Sequence, residues 1–159
     1  MDYLVNLYAL STSAEIDAKM QTAEITIRRT LSPEFEIVCD WIREHFGSGW
    51  SGETAIAFMR QPISCFIALK DKKLLGFAVY DSTSRGFFGP TGVDEKARGS
   101  GIGHALLLAT LLDMRNVGHS YAVIGDIGPA EFYVNAVGAT PIPGSEQGLY
   151  VDLLKPASK

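Results

Sequence analysis

Cysteine is scarce in this sequence: Cys39 and Cys65 are the two present, both inside apolar segments and not arranged as a C-x-x-C pair. That argues against a disulfide framework and leads us to expect two buried, reduced thiols in a cytoplasmic protein. Long apolar runs are missing too. The longest candidate, from Ala55 to Leu69, is broken by Arg60, Gln61 and Pro62, so neither a membrane span nor a membrane partner is expected. The opening MDYLVNLYAL has an acidic second residue and neither a basic leader nor a small-residue cleavage site, which predicts no signal peptide. Basic charge is not in excess, since 14 Lys and Arg face 18 Asp and Glu for a formal net charge of -4. A nucleic-acid partner is therefore not expected.

What is present suits one compact domain. The 159 residues are 47% hydrophobic and 20% charged, with 16 Gly and 7 Pro, the profile of a mixed α/β globule with a real core. Residues 3–10 read as a short strand and 11–23 as a polar connector with some helical character. From Glu24 the run EITIRRTL alternates as a half-buried strand does. Ser32, Pro33 and Glu34 then supply a cap, a preorganised first-turn residue and a first-turn carboxylate. Apolar Phe35, Val38, Trp41, Ile42 and Phe46 recur at helical spacing, which predicts a helix to about Phe46. Gly47, Ser48 and Gly49 break it, and a second helix is expected from near Ser51 to before Pro62.

SCFIALK and LLGFAVYD, separated by Asp71, Lys72 and Lys73, read as a hairpin. A third run, RGFFGPTGV, is made irregular by Gly89, Pro90 and Gly92. Residues 103–117 form a mostly apolar helix ended by Gly118. A strand at 121–125, a short helix from Pro129 to about Ala136 and two strands across 139–154, around Gly144 and Ser145, complete the expected order. A short polar tail runs from Lys155 to Lys159.

The sharpest local feature is the stretch from Val93 to Gly103, V-D-E-K-A-R-G-S-G-I-G, joining an extended strand to the long apolar helix. A strand, a glycine-rich turn and a helix N-terminus together make a phosphate-holding device: the backbone approaches the anion closely, and unpaired first-turn N–H groups face it at the positive end of the helix dipole. A P-loop would need Lys and Ser or Thr after the last glycine, but His104 and Ala105 follow Gly103. A dinucleotide fold would need G-x-G-x-x-G, whereas Gly99, Gly101 and Gly103 are spaced G-x-G-x-G.

On these residues the sequence resembles the GNAT superfamily of N-acetyltransferases. Arg98, Gly101 and Gly103 match the family's pattern of Arg or Gln, two residues, Gly, one residue, then Gly or Ala, and Val93 ends the preceding strand five positions before the arginine. The element order fits from Glu24 to about residue 154, leaving residues 1–23 as an N-terminal extension packed on the domain. The resemblance implies a mixed, largely antiparallel central sheet of about six to seven strands flanked by about four helices, splayed between the strands at 86–93 and 121–125.

It also implies acetyl-CoA as cofactor, an acyltransferase of the EC 2.3.1 type, and direct attack by a primary amine of a small molecule or peptide. N–H groups from Gly99 through Ser100, Gly101 and Ile102 to Gly103 would bind the pyrophosphate beside Arg98, and the Val93 N–H would polarise the thioester carbonyl. His104, Asp126, Pro129 and Phe132 would complete the cofactor site. Tyr133 would protonate the departing thiolate, although four residues rather than three separate it from Gly138 and Ala139 replaces an aromatic. The strand Phe88-Gly89-Pro90-Thr91-Gly92-Val93 offers no Glu as base, so Glu53, His45 and Asp81 are the substitutes, with Glu53 preferred. Trp50, in a loop between Gly49 and Ser51, together with Phe46 and Gly92 would line the acceptor site, while Trp41 falls on the apolar stripe. The missing glutamate keeps open a noncatalytic acyl-CoA-binding or regulatory module. Whether the chain is a monomer or a homodimer stays open.

Overall fold

The computed structural model describes residues 1–157. Of the expected polar tail, residues 158 and 159 lie outside the described residues. In chain order the elements are β1 (Tyr3–Asn6), α1 (Ala14–Thr22), β2 (Thr26–Arg29), α2 (Phe35–Phe46), α3 (Ser48–Phe58), β3 (Cys65–Lys70), β4 (Lys73–Tyr80), β5 (Phe87–Val93), α4 (Ile102–Asn116), β6 (Tyr121–Ile124), α5 (Ala130–Val137) and β7 (Thr140–Pro141). No helix among the described residues is long and apolar enough to cross a membrane.

The strands form one sheet in the order β2-β3-β4-β5-β6-β1-β7. The neighbours pair antiparallel except β5 and β6, which run parallel. Helices cover both faces. On one side Val38 and Ile42 of α2 and Ala57 of α3 pack with Ile67, Phe77 and Val79. On the other, α1 and α4 bury Ile16, Met20, Ile102, Leu106, Leu107 and Leu111 against Ala68, Ala78 and Phe88. The α4 sequence is apolar around most of its girth because eight of its residues are buried, as a helix wedged between a sheet and a second helix requires.

Several expectations from sequence need correction. The helical character expected at 11–23 is a full nine-residue helix, α1, capped by the Ser13 hydroxyl accepting from the Ile16 N–H, which brings the α-helices among the described residues to five where about four were expected. Within residues 1–23, expected as an extension packed on the domain, β1 lies inside the sheet, with β6 on one side and β7 on the other. The second helix begins at Ser48, with Gly47 at φ 98° making the whole break between α2 and α3. Ser32–Glu34 forms a single 3-10 turn ahead of α2, where Glu34 accepts from the Leu31 N–H at 2.7 Å and pairs with Arg28. The Arg28 hydrogen bonds hold the Glu34 carboxyl below its ordinary range. Finally, the two strands expected across 139–154 reduce to β7, and residues 142–157 run irregularly over the surface. Pro141, Pro143, Gly144 and Gly148 interrupt the alternation that a second strand would need.

Candidate active site

Pairing between β5 and β6 is limited to Phe87 with Val123 and Phe88 with Ile124, and beyond Phe88 the two strands part. β5 continues to Val93 held by β4 alone, with Gly92 opposite Phe77 and Val93 opposite Gly76. Its hydrogen-bond phase there can be read from one contact: the Asp94 N–H donates to the Leu75 carbonyl at 2.8 Å. Main-chain groups alternate sides along a strand, so Val93 turns its N–H and carbonyl away from β4 into the splay. The Arg98 Nε–H confirms that direction by donating to the Val93 carbonyl at 3.3 Å.

After β5 the chain makes a 3-10 turn at Glu95–Ala97, capped by the Asp94 carboxylate accepting from the Lys96 N–H, and the Ser100 hydroxyl donates to the Ala97 carbonyl at 2.6 Å. Gly99 at φ 81° and Gly101 at φ 89° take the left-handed backbone that reverses the chain into α4, a conformation costly for any residue with a Cβ. Ile102 sends its side chain into the core at 1% exposure, leaving its main chain as the part able to meet a ligand. Gly103 differs from its two predecessors. Its φ is unstrained, and an added Cβ would lie 3.8 Å from Val93 and 3.9 Å from Phe132. A side chain there would fill the space between β5, α4 and α5, while His104 stands edge-on to Phe132 at 6.3 Å. A glycine-lined gap beside unpaired helix N–H groups fits a diphosphate-bearing cofactor.

A family model for the GNAT acetyltransferases matches residues 27–130. The chain belongs to the GNAT family. No curated protein sequence matches it significantly. Solved structures share the fold at low identity. A glucosamine N-acetyltransferase region related to GCN5, in a fungal multidomain β-N-acetylglucosaminidase, aligns with TM-score 0.71 and 14% identity over 86% of this chain and 19% of that one. A GCN5-related N-acetyltransferase from Sphaerobacter thermophilus aligns with TM-score 0.60 and 18% identity over 87% of this chain and 47% of that one. A Drosophila protein aligns with TM-score 0.58 and 14% identity over 89% and 46%. This chain thus spans from about a fifth to about half the length of these three structures.

Tyr133 of α5 is buried at 7% exposure, with its ring 5.0 Å from Phe132 and 6.4 Å from Phe88. Phe88 is the last β5 residue paired with β6, so Tyr133 stands where the strands part. Burial pushes its phenol above the ordinary range. Gly138, at φ 65°, closes α5 in the left-handed conformation. Pro129 immediately precedes that helix.

On the opposite face, a cleft of about 610 Å³ runs along β5 between α3, the end of β6 and the irregular C-terminal segment. It contains Trp50 and Glu53. Trp50 sits within α3 rather than in a loop. Phe46 backs Trp50 in a stack at 5.1 Å and covers Gly92, where a Cβ would lie 2.5 Å from the ring. Gly92 is glycine because Phe46 occupies that volume. Glu53 Oε1 accepts from the Thr83 and Tyr150 hydroxyls, the latter at 2.9 Å. Asp126, exposed at φ 45°, lines the same cleft, and its N–H donates to the Asp2 carboxylate at 3.3 Å.

The two other candidate bases lie elsewhere. Asp81 faces His119 at 2.9 Å and accepts from the Gly86 N–H at 2.6 Å, in a separate cavity with Arg60 and Arg85. His45 stacks on Trp41 at 4.2 Å and its Nδ1 bonds the Trp41 carbonyl. Tyr150 escaped the sequence reading. Its only local signal was an aromatic hydroxyl in a turn-rich tail, and burial against the cleft pushes its phenol upward.

Proposed function

We propose that this protein transfers an acetyl group from acetyl-CoA to a primary amine by direct attack within a ternary complex. The observation that carries the reading is the Val93 N–H, turned away from β4 into the space that β6 has vacated, beside the side-chain-free surface of Gly103. Main-chain N–H groups from Gly99 to Gly103 would hold the pyrophosphate, with Arg98 at the rim and Phe132 and His104 as walls. When bound, acetyl-CoA supplies a thioester whose carbonyl is open to nitrogen and whose thiol leaves. Val93 then offers a fixed N–H to negative charge developing on that carbonyl oxygen, and a preorganised donor of this kind costs no rearrangement during reaction.

An amine must lose its proton to attack, since alkylammonium groups have pKa values of about 10.4. We assign receipt of that proton to Glu53, because the Thr83 and Tyr150 hydroxyls both donate to its Oε1 and leave Oε2 as the acceptor. Tyr133, held protonated by burial, is the donor for the leaving thiolate. Tyr133→Phe tests that role: we expect slower thiol release with unchanged acetyl-CoA affinity, and equal turnover across the pH range would remove Tyr133 from the mechanism.

One observation favours a second reading, a noncatalytic acyl-CoA-binding module. No carboxylate stands on β5, and the Thr91 hydroxyl is committed to the Phe77 carbonyl at 2.9 Å. Calorimetric binding of acetyl-CoA without thiol release over a broad amine panel would establish that alternative.

A further inference from the structure

We infer that the acceptor is a small cationic amine carrying an apolar body of aromatic size, its ammonium on Glu53 and its body against Trp50. The inference rests on the reading above, in which the cleft beside β5 receives the acceptor. Three features of that cleft select this class.

The charged groups lining it are Glu53 and Asp126, both acidic, with no Lys, Arg or His among the lining residues. A carboxylate or phosphate on the acceptor would find repulsion and no partner, whereas an ammonium finds its complement. Next, the acidic anchor is preorganised. The Thr83 and Tyr150 hydroxyls both donate to Oε1, coming from the β4–β5 connection and the C-terminal segment. They fix the carboxylate between two walls and leave Oε2 as its free acceptor among the described contacts, enough for one ammonium.

Finally, the rest of the wall is largely apolar: Trp50 and Ile56 from α3, Phe87 and Pro90 from β5, and Leu153 from the C-terminal segment. Trp50 is 38% and Leu153 68% exposed, so both have surface left to cover. A polyhydroxylated amine would strip water from hydroxyls that these walls cannot satisfy, while an apolar body would gain from the same burial.

The test compares four acceptors at saturating acetyl-CoA by thiol release: phenethylamine, glucosamine, spermidine and glutamate, with acetyl-CoA affinity measured separately by calorimetry. We expect kcat/KM for phenethylamine to exceed each of the others by at least about tenfold, the worth of burying a few apolar groups. Leu153→Asp changes an exposed side chain and should leave the fold and acetyl-CoA affinity intact while raising the phenethylamine KM about tenfold. Bound acetyl-CoA with glucosamine, spermidine or glutamate as the equal or better acceptor, or with phenethylamine inert, would overturn the inference and leave the cofactor site standing. Absence of acetyl-CoA binding would overturn the underlying reading and the inference together. An unchanged phenethylamine KM in Leu153→Asp would also overturn the inference.

Discussion

The two halves of the sheet are built differently. Between β3 and β4 six residue pairs close the ladder, and the adjoining edge is fastened by Arg29, which donates to Asp113 at 2.6 Å while Tyr80 donates to the other carboxylate oxygen at 2.7 Å. Between β5 and β6 two pairs form and the strands then diverge. In the closed half, main-chain groups satisfy one another. In the open half, Val93 and the first turn of α4 keep N–H groups for something else, at the cost of the ladder bonds that a closed sheet would make there. Rigidity on one side lets a gap persist on the other.

That contrast can be broken from either side. The largest effect is expected from Phe77→Ala in the closed half. Phe77 is fully buried among α2, α3 and the sheet, and its loss should cost about 3–5 kcal/mol in urea denaturation. Asp113→Ala comes next, at about 1–2 kcal/mol, because it leaves the Tyr80 hydroxyl without its acceptor and removes the carboxylate from Arg29, whose guanidinium keeps its bond to the Ile63 carbonyl. Gly103→Leu addresses the open half, with opposite signs for two readouts. The melting temperature should hold or rise, since a helical glycine is replaced without φ strain, while acetyl-CoA affinity falls about tenfold or more, measured by calorimetry. A parallel loss of both would mean that the glycine serves packing alone.

The smallest effect lies at alkaline pH. Burial, then the Asp113 contact, pushes the Tyr80 phenol well above its ordinary value of 10.0, so the folded state holds that proton more tightly than the unfolded one. This contribution is complete below about pH 10 and is lost as pH rises beyond it. Tyr80→Phe should therefore flatten the alkaline decline of stability in a pH series of denaturation curves, whatever its effect at neutral pH.

Sequence reading located what consecutive residues determine in both halves, the β3–β4 hairpin and the turn into α4, and missed what distant residues build. Arg98, Gly99, Gly101 and Gly103 announce their turn locally, because positive φ and a helix start are properties of a few consecutive residues. The placement of β1 was invisible for the opposite reason: Val5 pairs with Ala122, and no periodicity within a window reports a partner more than a hundred positions away. Trp50 was misplaced because Gly47, Ser48 and Gly49 read together as a break, yet Gly47 alone makes it and α3 absorbs the rest. Glu53 could be named from sequence as a nearby carboxylate. Its two hydroxyl partners could not, since Thr83 and Tyr150 come to it from separate connections.

The seating of β1 between β6 and β7 also sets an order of events during synthesis. Val5 and Leu7, fully buried in the folded protein, are translated more than a hundred residues before the strands that shelter them, at 121–124 and 140–141. Asp2 waits equally long to accept from the N–H groups of Asp126 and Ile142. The nascent chain must therefore carry β1 unpaired until those strands are made, and contacts of such long sequence separation form slowly. The sheet closes only when residues 121–124 and 140–141 come back to β1.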